Sequence, residues 1–270
     1  MSQFISLSSG SSGNCYYLQV DDYGLIIDQG LSVRKFKQIC SNYGLSIAKI
    51  KAILVTHDHT DHVKGVGALS RDFKIPVYTS QAVHDSIMRN HFVSKKVPLN
   101  LQHAIERGIE FELGPFKITS FAVPHDSADN NGYKIRWDDK CFVLLTDVGH
   151  FSDDMPDIIH QATHLVIESN YDEHMLVTGR YPLRLQKRIS GPNGHISNAE
   201  TAVFLASNLN RDLIKKVWLC HLSAENNVPR IAYETCAEKL TEAGYILNGE
   251  NRNVSLEVLA RQTPSLLTDL

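Results

Sequence analysis

The stretch Val55-Thr56-His57-Asp58-His59-Thr60-Asp61-His62 decides the fold of this chain. It places three imidazoles and two carboxylates directly after the apolar residues 50–55, which have the pattern of a buried strand. Imidazole and carboxylate ligands together suit zinc, manganese or iron, and side chains on one loop at a strand end can converge on one or two ions. The alternative is a solvated polar loop, but this dense spacing after a strand favours a metal site.

Size and composition describe an ordinary globular protein. The chain has 270 residues, of which 43% are hydrophobic and 21% are charged. No stretch resembles a linker, so we expect one domain over residues 1–270, with the last ten or so residues, around Pro264, as a loose tail. The 27 basic and 30 acidic residues give 27 − 30 = −3, so no bulk basic field indicates nucleic acid, although a local strip remains possible.

Targeting and redox signals are also absent from the sequence. The first fifteen residues lack a basic start and an apolar core, and no apolar run could span a bilayer, so we expect a cytoplasmic protein without a membrane partner. The five cysteines have no Cys-x-x-Cys spacing, which argues against a disulfide framework and a thiolate zinc site. The thirteen histidines are many for this length and direct attention to metal binding.

Apolar runs bounded by turn residues alternate with helical periodicity along the chain. Strands are predicted at 16–20, 25–28, 50–55, 77–79, 109–113, 116–122, 133–137, 141–146, 164–168, 217–220 and 254–258. Helices are predicted after Ser32 and at 81–90, 182–189, 198–208 and 229–243. Strands in both halves, with helices to cover them, indicate an α/β protein in which two β-sheets face each other and the helices lie outside, a four-layer αββα sandwich.

A strand followed by Thr-His-x-His-x-Asp-His resembles the signature of the metallo-β-lactamase superfamily. That superfamily requires further residues at strand ends in a fixed order, and the chain supplies each of them. They are Asp28 in Ile27-Asp28-Gln29-Gly30, His125 in Val123-Pro124-His125-Asp126, Asp147 in Leu145-Thr146-Asp147-Val148, and His221 in Leu219-Cys220-His221-Leu222. The resemblance therefore extends over most of the chain and implies the metallo-β-lactamase fold.

The resemblance also implies a role for each of these residues. Two divalent ions, Zn²⁺ or Mn²⁺, are expected, with Asp147 bridging them and Asp28 orienting a ligand rather than binding metal. The ligands of the first ion are His57, His59 and His125, and those of the second are Asp61, His62 and His221. A hydroxide that bridges the two ions is expected to attack phosphorus. Asp61, as a ligand of the second ion, would lie next to the reacting atoms and is therefore counted with the catalytic residues. Oxygen-reducing di-iron relatives carry Glu at the position of His59, so hydrolysis is favoured over redox chemistry.

Several segments resemble the YycJ/WalJ-like branch of the superfamily, which consists of bacterial proteins proposed as 5′-to-3′ exonucleases on double-stranded DNA and linked to mismatch repair. The segments are Ser8-Ser9-Gly10-Ser11-Ser12-Gly13-Asn14-Cys15, Glu168-Ser169-Asn170-Tyr171-Asp172, Gly179-Arg180-Tyr181-Pro182, Gly194-His195-Ile196-Ser197-Asn198 and His221-Leu222-Ser223-Ala224-Glu225-Asn226-Asn227. The branch implies a metal-dependent hydrolase of ester bonds, an exodeoxyribonuclease, with DNA as the favoured substrate.

Seven residues are predicted to contact the substrate or its phosphates: Ser12, Asn14, Ser197, Asn198, Asn226, Arg180 and Arg184. The serine- and glycine-rich start could form a backbone nest for phosphate, or only a flexible turn. Ser197 and Asn198 precede a helix, whose N-terminus can bind an anion or can simply be capped. Arg180, Arg184, Lys187 and Arg188 follow helical spacing and either track a nucleic-acid backbone or form a solvated face.

The segment around His195 resembles the His-Ser-Thr segment of the tRNA-processing relative RNase Z. There a histidine, oriented by a glutamate after an earlier strand, protonates the leaving oxygen. His195 is therefore predicted as the general acid and Glu168 as its orienting partner, since a carboxylate fixes the tautomer of a histidine and raises its pKa. The alternative is that His195 contacts a substrate phosphate.

Two other functions are compatible with the sequence. A small-molecule hydrolase, such as a cyclic phosphodiesterase or a glyoxalase II-like thioesterase, would use the same metals. A non-catalytic binding module would not need a full ligand set. No long basic or Gly/Pro-rich insertion interrupts the chain, which argues against a tRNA 3′-endonuclease, and there is no room for a β-CASP insert. The oligomeric state is left without a prediction.

Overall fold

A computed structural model describes residues 1–247 and 249–270 of the chain. The strands are β1 (Ser2–Ser8), β2 (Cys15–Val20), β3 (Tyr23–Ile27), β4 (Ile50–Leu54), β5 (Val77–Thr79), β6 (Gln102–Ala104), β7 (Phe111–Leu113), β8 (Phe116–Ala122), β9 (Asn131–Trp137), β10 (Lys140–Leu145), β11 (His164–Glu168), β12 (Lys216–Cys220), β13 (Ser255–Val258) and β14 (Thr268–Asp269). The helices are α1 (Val33–Asn42), α2 (Thr60–Val63), α3 (Val66–Phe73), α4 (Gln81–Arg89), α5 (Met155–His160), α6 (Glu173–Thr178), α7 (Leu183–Ile189), α8 (Asn198–Asn208) and α9 (Pro229–Glu242). Short 3₁₀ turns occupy Ile47–Lys49 and Leu99–Leu101.

Two compact units make up the described residues. Unit 1 comprises Met1–Phe121, Ser127–Asn131 and Ala260–Leu270, and unit 2 comprises Ala122–Asp126 and Gly132–Leu259. This division does not test whether residues 1–270 form one domain, which stays a prediction.

Unit 1 contains a seven-stranded mixed sheet in the order β14-β1-β2-β3-β4-β5-β6. The pairs from β3 to β6 are parallel, and the pairs from β14 to β3 are antiparallel. Leu25, Ile26 and Ile27 of β3 and Ile53 and Leu54 of β4 are fully buried, as the continuous apolar runs of these strands predict for parallel strands. Because β3 and β4 are parallel neighbours, the residues that follow them lie at the same edge of the sheet.

Residues 260–270 do not form the loose tail that we expected around Pro264. Thr268 and Asp269 pair with β1, and the backbone N–H of Ser265 donates to the carbonyl of Ser6 at 2.8 Å. The hydroxyl of Ser8 donates to the carbonyl of Arg261 at 2.7 Å. The segment is ordered because it satisfies backbone groups along an edge strand that would otherwise be open.

Unit 2 contains strands β9 to β13, in the order β13-β12-β11-β10-β9. β9 and β10 form an antiparallel hairpin, and β10, β11, β12 and β13 are parallel. All five residues of β11 are buried, which fits a central parallel strand. The carboxyl ends of β10, β11 and β12 therefore lie side by side, and each leads into a residue that the sequence singled out.

The structure confirms most predicted strands and helices to within a few residues, but it adds elements that the sequence did not predict. These include β1, β6, α2, α3, α5, α6 and β14. All five cysteines are free and buried. No helix in residues 1–247 or 249–270 combines the length and the apolar character that crossing a bilayer requires.

A buried histidine at the start of β11 makes the stability of the fold sensitive to pH. The ring of His164 lies 6.2 Å from that of Trp218, centroid to centroid. Burial, assisted by the nearby charges of Lys140, Lys216 and Lys215, lowers the pKa of His164 to about 4. The unfolded chain has a histidine pKa of about 6.5 and therefore binds more protons than the folded chain between these values.

We expect this histidine to cost stability as the pH falls from about 6.5 towards 4, and to have no effect at higher pH. Between pH 7 and pH 5, the wild type should lose about 2 kcal/mol more than His164→Asn in its free energy of unfolding. Urea unfolding at both pH values measures this difference, and any loss of packing in the variant cancels between them. Parallel pH profiles for the two proteins would contradict the assignment.

Candidate metal centre

The carboxylate of Asp28 is fully buried just after β3 and accepts three hydrogen bonds. Its Oδ1 accepts from the backbone N–H of Thr56 at 2.8 Å, and its Oδ2 accepts from the Thr56 hydroxyl at 2.8 Å and lies 2.7 Å from Nδ1 of His62. With Nδ1 donating to Asp28, Nε2 of His62 carries the lone pair, as a metal ligand requires. This contact agrees with the orienting role predicted for Asp28.

The loop after β4 brings its histidines together. The ring centroid of His57 lies 4.1 Å from that of His62 and 4.7 Å from that of His59. His59 is the N-cap residue of α2, whose single turn carries Asp61 and His62. A strand end followed at once by a short helix therefore gathers four predicted ligands within six residues of chain.

Asn14 is buried against this loop. Its Nδ2 lies 2.8 Å from Nε2 of His62, 3.3 Å from Oδ2 of Asp61 and 3.1 Å from the carbonyl of Gly10. The backbone of Gly30 approaches Asp61 so closely that a Cβ at Gly30 would lie 1.6 Å from the Asp61 carbonyl oxygen. The amide of Asn14 thus faces the predicted ligand atom of His62, and its predicted phosphate contact stays a prediction.

Unit 2 holds a second group of candidate ligands. One ligand atom from each of Asp147, Glu168, His195 and His221 lies within 4.8 Å of the others. Asp147 follows β10 and His221 follows β12, and both have left-handed backbone, with φ of 57° and 53°. Asp28 shares this conformation, with φ of 59°. Left-handed backbone costs about 1–3 kcal/mol in a residue other than glycine, and such residues concentrate at functional sites.

A single oxygen of Glu168 contacts two histidines. Its Oε1 lies 2.8 Å from Nδ1 of His195 and 2.8 Å from Nδ1 of His221, while its Oε2 accepts from the backbone N–H of Val148 at 2.6 Å. Burial disfavours the charged form of His195, but the adjacent Glu168 carboxylate outweighs burial and raises the pKa of His195. Burial likewise opposes ionisation of Glu168, yet His195 and the two hydrogen bonds from imidazoles lower the pKa of Glu168.

His125 is held in the same way as the other histidine ligands. Its Nδ1 lies 2.9 Å from the carbonyl oxygen of Gly194, so Nδ1 donates and Nε2 carries the lone pair. That Nε2 lies 3.6 Å from Oδ1 of Asp147 and 3.4 Å from Oδ1 of Asp126. Asp147 Oδ1 is also 3.4 Å from Nδ1 of His221, so this carboxylate is central to the group in unit 2.

Three of the predicted phosphate-binding residues are buried and form hydrogen bonds within the protein. The hydroxyl of Ser197 accepts from the backbone N–H of Glu200, whose carboxylate in turn accepts from the Ser197 N–H, so a capping box fills the N-terminus of α8. The side chain of Asn198 is buried and bonds to Ser169 and Asn227. Asn226 is buried, its backbone N–H donates to the Ser223 hydroxyl at 3.2 Å, and its Nδ2 lies 3.5 Å from that hydroxyl. These bonds do not test the predicted phosphate contact of the three residues, which stays a prediction.

The remaining predicted contacts are at the surface. Ser12, Arg180 and Arg184 are exposed, as are Lys187 and Arg188 of α7. Nε of Arg188 donates to Oδ2 of Asp126 at 2.6 Å, which places that end of α7 beside the residue after His125.

Two polar residues that were given no role from the sequence support the ligands. Thr56 joins Asp28 to the histidines, since its hydroxyl also lies 3.0 Å from Nδ1 of His57. Nδ2 of Asn170 donates to the carbonyl of His221 at 2.7 Å and to Oε1 of Glu168 at 3.3 Å. Thr56 directly precedes His57 and Asn170 comes two residues after the end of β11, and that proximity was the available signal.

Comparison with known protein families shows the family to which this chain belongs. The family profile described as Beta-lactamase superfamily domain matches residues 24–222. This chain belongs to the metallo-β-lactamase superfamily. The match begins in β3 and ends just after His221, and so includes every metal ligand that the sequence predicted.

Two curated relatives from the superfamily are similar along most of their length. Exodeoxyribonuclease WalJ of Streptococcus pneumoniae is 37% identical over 237 residues, which cover 88% of this chain and 87% of the relative. Exodeoxyribonuclease YycJ of Bacillus anthracis is 34% identical over 242 residues, which cover 90% of each. The predicted resemblance to the YycJ/WalJ-like branch is thereby confirmed.

A solved structure with the same fold is Zn²⁺-bound PqqB from Methylobacterium extorquens, which superposes with a TM-score of 0.69 over the full length of both chains at 16% identity. At that identity the likeness shows the fold alone. The predicted α/β metallo-β-lactamase fold is confirmed.

The ligand groups of this superfamily member suit divalent metal ions. Asp28, Glu168 and the Gly194 carbonyl each hold Nδ1 of a histidine, so Nε2 is the atom of His62, His221 and His125 that could bind a metal. Metal-bound histidines commonly donate their other ring N–H to a carboxylate or a backbone carbonyl in this way. The His and Asp groups of the chain can therefore bind divalent metals.

We expect Asp28 to be the least replaceable carboxylate of unit 1. Asp28→Ala leaves three buried donors without their acceptor and should lower the free energy of unfolding by about 3–5 kcal/mol. Metal affinity should fall about 10- to 100-fold, since His62 loses its orientation. Asp28→Asn keeps one acceptor oxygen and should cost less stability.

Urea unfolding and metal titration measure the two effects. Asp22→Ala is the matched control, because this side chain is 91% exposed and its ion pair with Lys49 is at the surface, so the variant should unfold much as the wild type does. Equal stability of Asp28→Ala and Asp22→Ala would show that the Asp28 network does not support the loop.

Proposed function

We propose that this chain is a metal-dependent phosphodiesterase that acts on DNA as an exonuclease. The observation that carries the proposal is the Glu168–His195 pair beside Asp147: a partly exposed imidazole, held by a buried carboxylate, lies 3.9 Å from a predicted metal ligand. The names of the two curated relatives, which both state exodeoxyribonuclease, support the substrate.

We infer two divalent ions per chain, Zn²⁺ or Mn²⁺. The inference rests on the order of ligands in the superfamily, with His57, His59 and His125 for the first ion, Asp61, His62 and His221 for the second, and Asp147 for both. When bound, such ions lower the pKa of water and stabilise the negative charge that develops at phosphorus. Asp61 keeps its place among the catalytic residues because it would lie next to the reacting atoms.

His195 is suited to donate the proton that the leaving oxygen needs. Its Nδ1 is bound to Glu168, so a proton on Nε2 can pass to the oxygen as its bond to phosphorus breaks. The side chain of His195 is 20% exposed and that of His221 only 5%, although both contact the same oxygen of Glu168. This difference supports substrate contact for His195 and a ligand role for His221.

Three of the basic residues that were predicted to contact the substrate remain in the proposal. Arg180, Arg184 and Lys187 are exposed on or beside α7, where they can follow a phosphate backbone. Arg188 neutralises Asp126, so it would contribute less net attraction than its neighbours.

The decisive experiment is hydrolysis of end-labelled DNA and RNA of one sequence, single- and double-stranded, with Mn²⁺ and Zn²⁺ supplied separately. Stepwise release of nucleotides from DNA ends is expected, and 5′ and 3′ labels report the polarity. A small-molecule hydrolase would instead cleave a cyclic nucleotide or a glutathione thioester and leave every DNA intact.

The metal content should be two ions per chain after reconstitution. His59→Ala should lose metal and activity together, and Asp147→Ala should lose more of both because it is proposed to serve both ions. His174→Ala, which removes an exposed histidine of α6, is the control and should keep both ions. Elemental analysis of the reconstituted proteins measures the content, and fewer than one ion per wild-type chain would refute the binuclear site.

Removal of the proton donor should slow DNA hydrolysis while the metals stay bound. His195→Ala is expected to lower kcat by about 10²- to 10⁴-fold. At saturating metal the double variant with Glu168→Gln should be little slower, because the two residues act as a unit. At limiting metal it should be slower, because Glu168 also holds Nδ1 of the predicted ligand His221.

A nitrophenyl phosphodiester separates the two possible roles of His195. Its leaving group needs no proton, so His195→Ala should hydrolyse this ester at a rate much closer to that of the wild type. Equal losses on the ester and on DNA would instead make His195 a phosphate-binding residue.

A further inference from the structure

The segment 90–98, which follows α4 in unit 1, presents an aromatic ring to solvent. We refer to it as the Phe92 loop. Phe92 is 77% exposed, whereas Val93 and Val97 in the same loop are 1% and 2% exposed. Burying a phenylalanine side chain stabilises a folded protein by about 1.5–3 kcal/mol. The exposed Phe92 does not contribute this free energy, whereas the buried Val93 and Val97 contribute theirs.

The Phe92 loop is bonded to the loop that carries the metal ligands. Nδ2 of Asn90 donates to the backbone carbonyl of Asp58 at 3.2 Å, and Oδ1 of Asn90 accepts from the backbone N–H of Phe92 at 2.9 Å. Asp58 stands between the predicted ligands His57 and His59. One amide side chain therefore joins the backbone of Phe92 to the backbone of the ligand loop.

Further hydrogen bonds fix the position of the Phe92 loop. The hydroxyl of Ser86 donates to Oδ2 of Asp58 at 2.5 Å. The ammonium of Lys96 donates to the carbonyl of Ile87 at 3.0 Å, and the amide of Gln102 donates to the carbonyl of Val97 at 2.9 Å. A ring on a loop that is already ordered binds a flat ligand with less loss of conformational entropy than one on a mobile loop.

The charge around Phe92 suits a polyanion. Residues 86–105 contain no Asp or Glu, although the whole chain has a formal net charge of −3. Arg89 and Lys95 are exposed and flank Phe92 in the sequence. Nζ of Lys95 lies 3.6 Å from Oδ1 of Asp72, which offsets part of its charge. Exposed aromatic rings among cationic side chains are typical of surfaces that bind single-stranded nucleic acid, where the ring stacks on a base and the cations attract the phosphates.

We propose that Phe92 stacks on a nucleobase of the DNA strand that is being cut and so positions that strand at the metal ligands. This inference rests on the proposed function and adds a positioning residue to it. We favour a nucleobase over a protein partner because cations flank the ring in the sequence. Met88 and Leu99 are also exposed, so a protein interface is the alternative that the oligomeric state tests below.

The test compares Phe92→Ala, Phe92→Trp and the control Leu99→Ala. Leu99 is also 77% exposed and lies just beyond the loop, so its removal matches the loss of exposed apolar surface. Affinity for a fluorescein-labelled single-stranded DNA is measured by anisotropy with chelator present, which prevents cleavage. Phe92→Ala should weaken binding about ten-fold, equal to about 1.4 kcal/mol, while Leu99→Ala binds as the wild type does.

Two further readouts are specific to stacking. Phe92→Trp should retain affinity, and its fluorescence should be quenched when DNA binds, since Trp137 and Trp218 are buried and contribute little change. In steady-state hydrolysis of DNA, Phe92→Ala should raise KM more than it lowers kcat.

The outcomes separate this inference from the proposed function. If the wild type neither binds nor cuts DNA, both fail. If the wild type cuts DNA and Phe92→Ala binds it with wild-type affinity, only the stacking role fails. If Phe92→Ala instead changes the oligomeric state without DNA, the ring belongs to a protein interface and the stacking role is also overturned.

Discussion

The buried carboxylate of Asp28 is the constraint on which the metal-ligand loop of unit 1 depends. A buried charge is tolerated only when donors surround it, and here the donors are the backbone and hydroxyl of Thr56 and the ring of His62. The arrangement requires β3 and β4 to be parallel neighbours, so that Asp28 and Thr56 emerge at one edge of the sheet. The sheet register, the left-handed backbone of Asp28 and the tautomer of His62 are therefore consequences of one electrostatic requirement.

Unit 2 meets the same requirement with Glu168. The carboxylate ends a central strand, is buried, and shares one oxygen between His195 and His221. This sharing links a predicted metal ligand to the proposed proton donor, because movement of either ring changes the hydrogen bond available to the other. In such a unit the protonation of one group depends on the state of its neighbour, and a substitution at Glu168 affects both functions at once.

The strands that present the predicted metal ligands could be predicted from the sequence, because residues 50–55 are a short, mostly apolar run and each later predicted ligand follows another such run. The contacts of Asn14 could not, since they depend on the approach of two loops that are far apart in the sequence. Ser197 shows a different limit. Ser197-Asn198-Ala199-Glu200 has the pattern of a capping box, and the structure forms it, whereas from the sequence we left open whether this helix start binds an anion or is simply capped. The serine-rich residues 2–8 were not predicted as a strand, because their pairing with 268–269 is not visible locally.

The pairing of β14 with β1 affects how the protein is made. Phe4 pairs with Thr268, so the outer edge of β1 has no partner until more than two hundred further residues have been synthesised. At about 5–20 residues per second, that edge remains open for tens of seconds and can pair with another nascent chain. Closure over such a separation in sequence is also slow, because the entropy of a long loop must be lost before the contact forms. We therefore expect chaperone dependence and aggregation during expression to originate at this edge of the first sheet rather than at the metal-ligand loops.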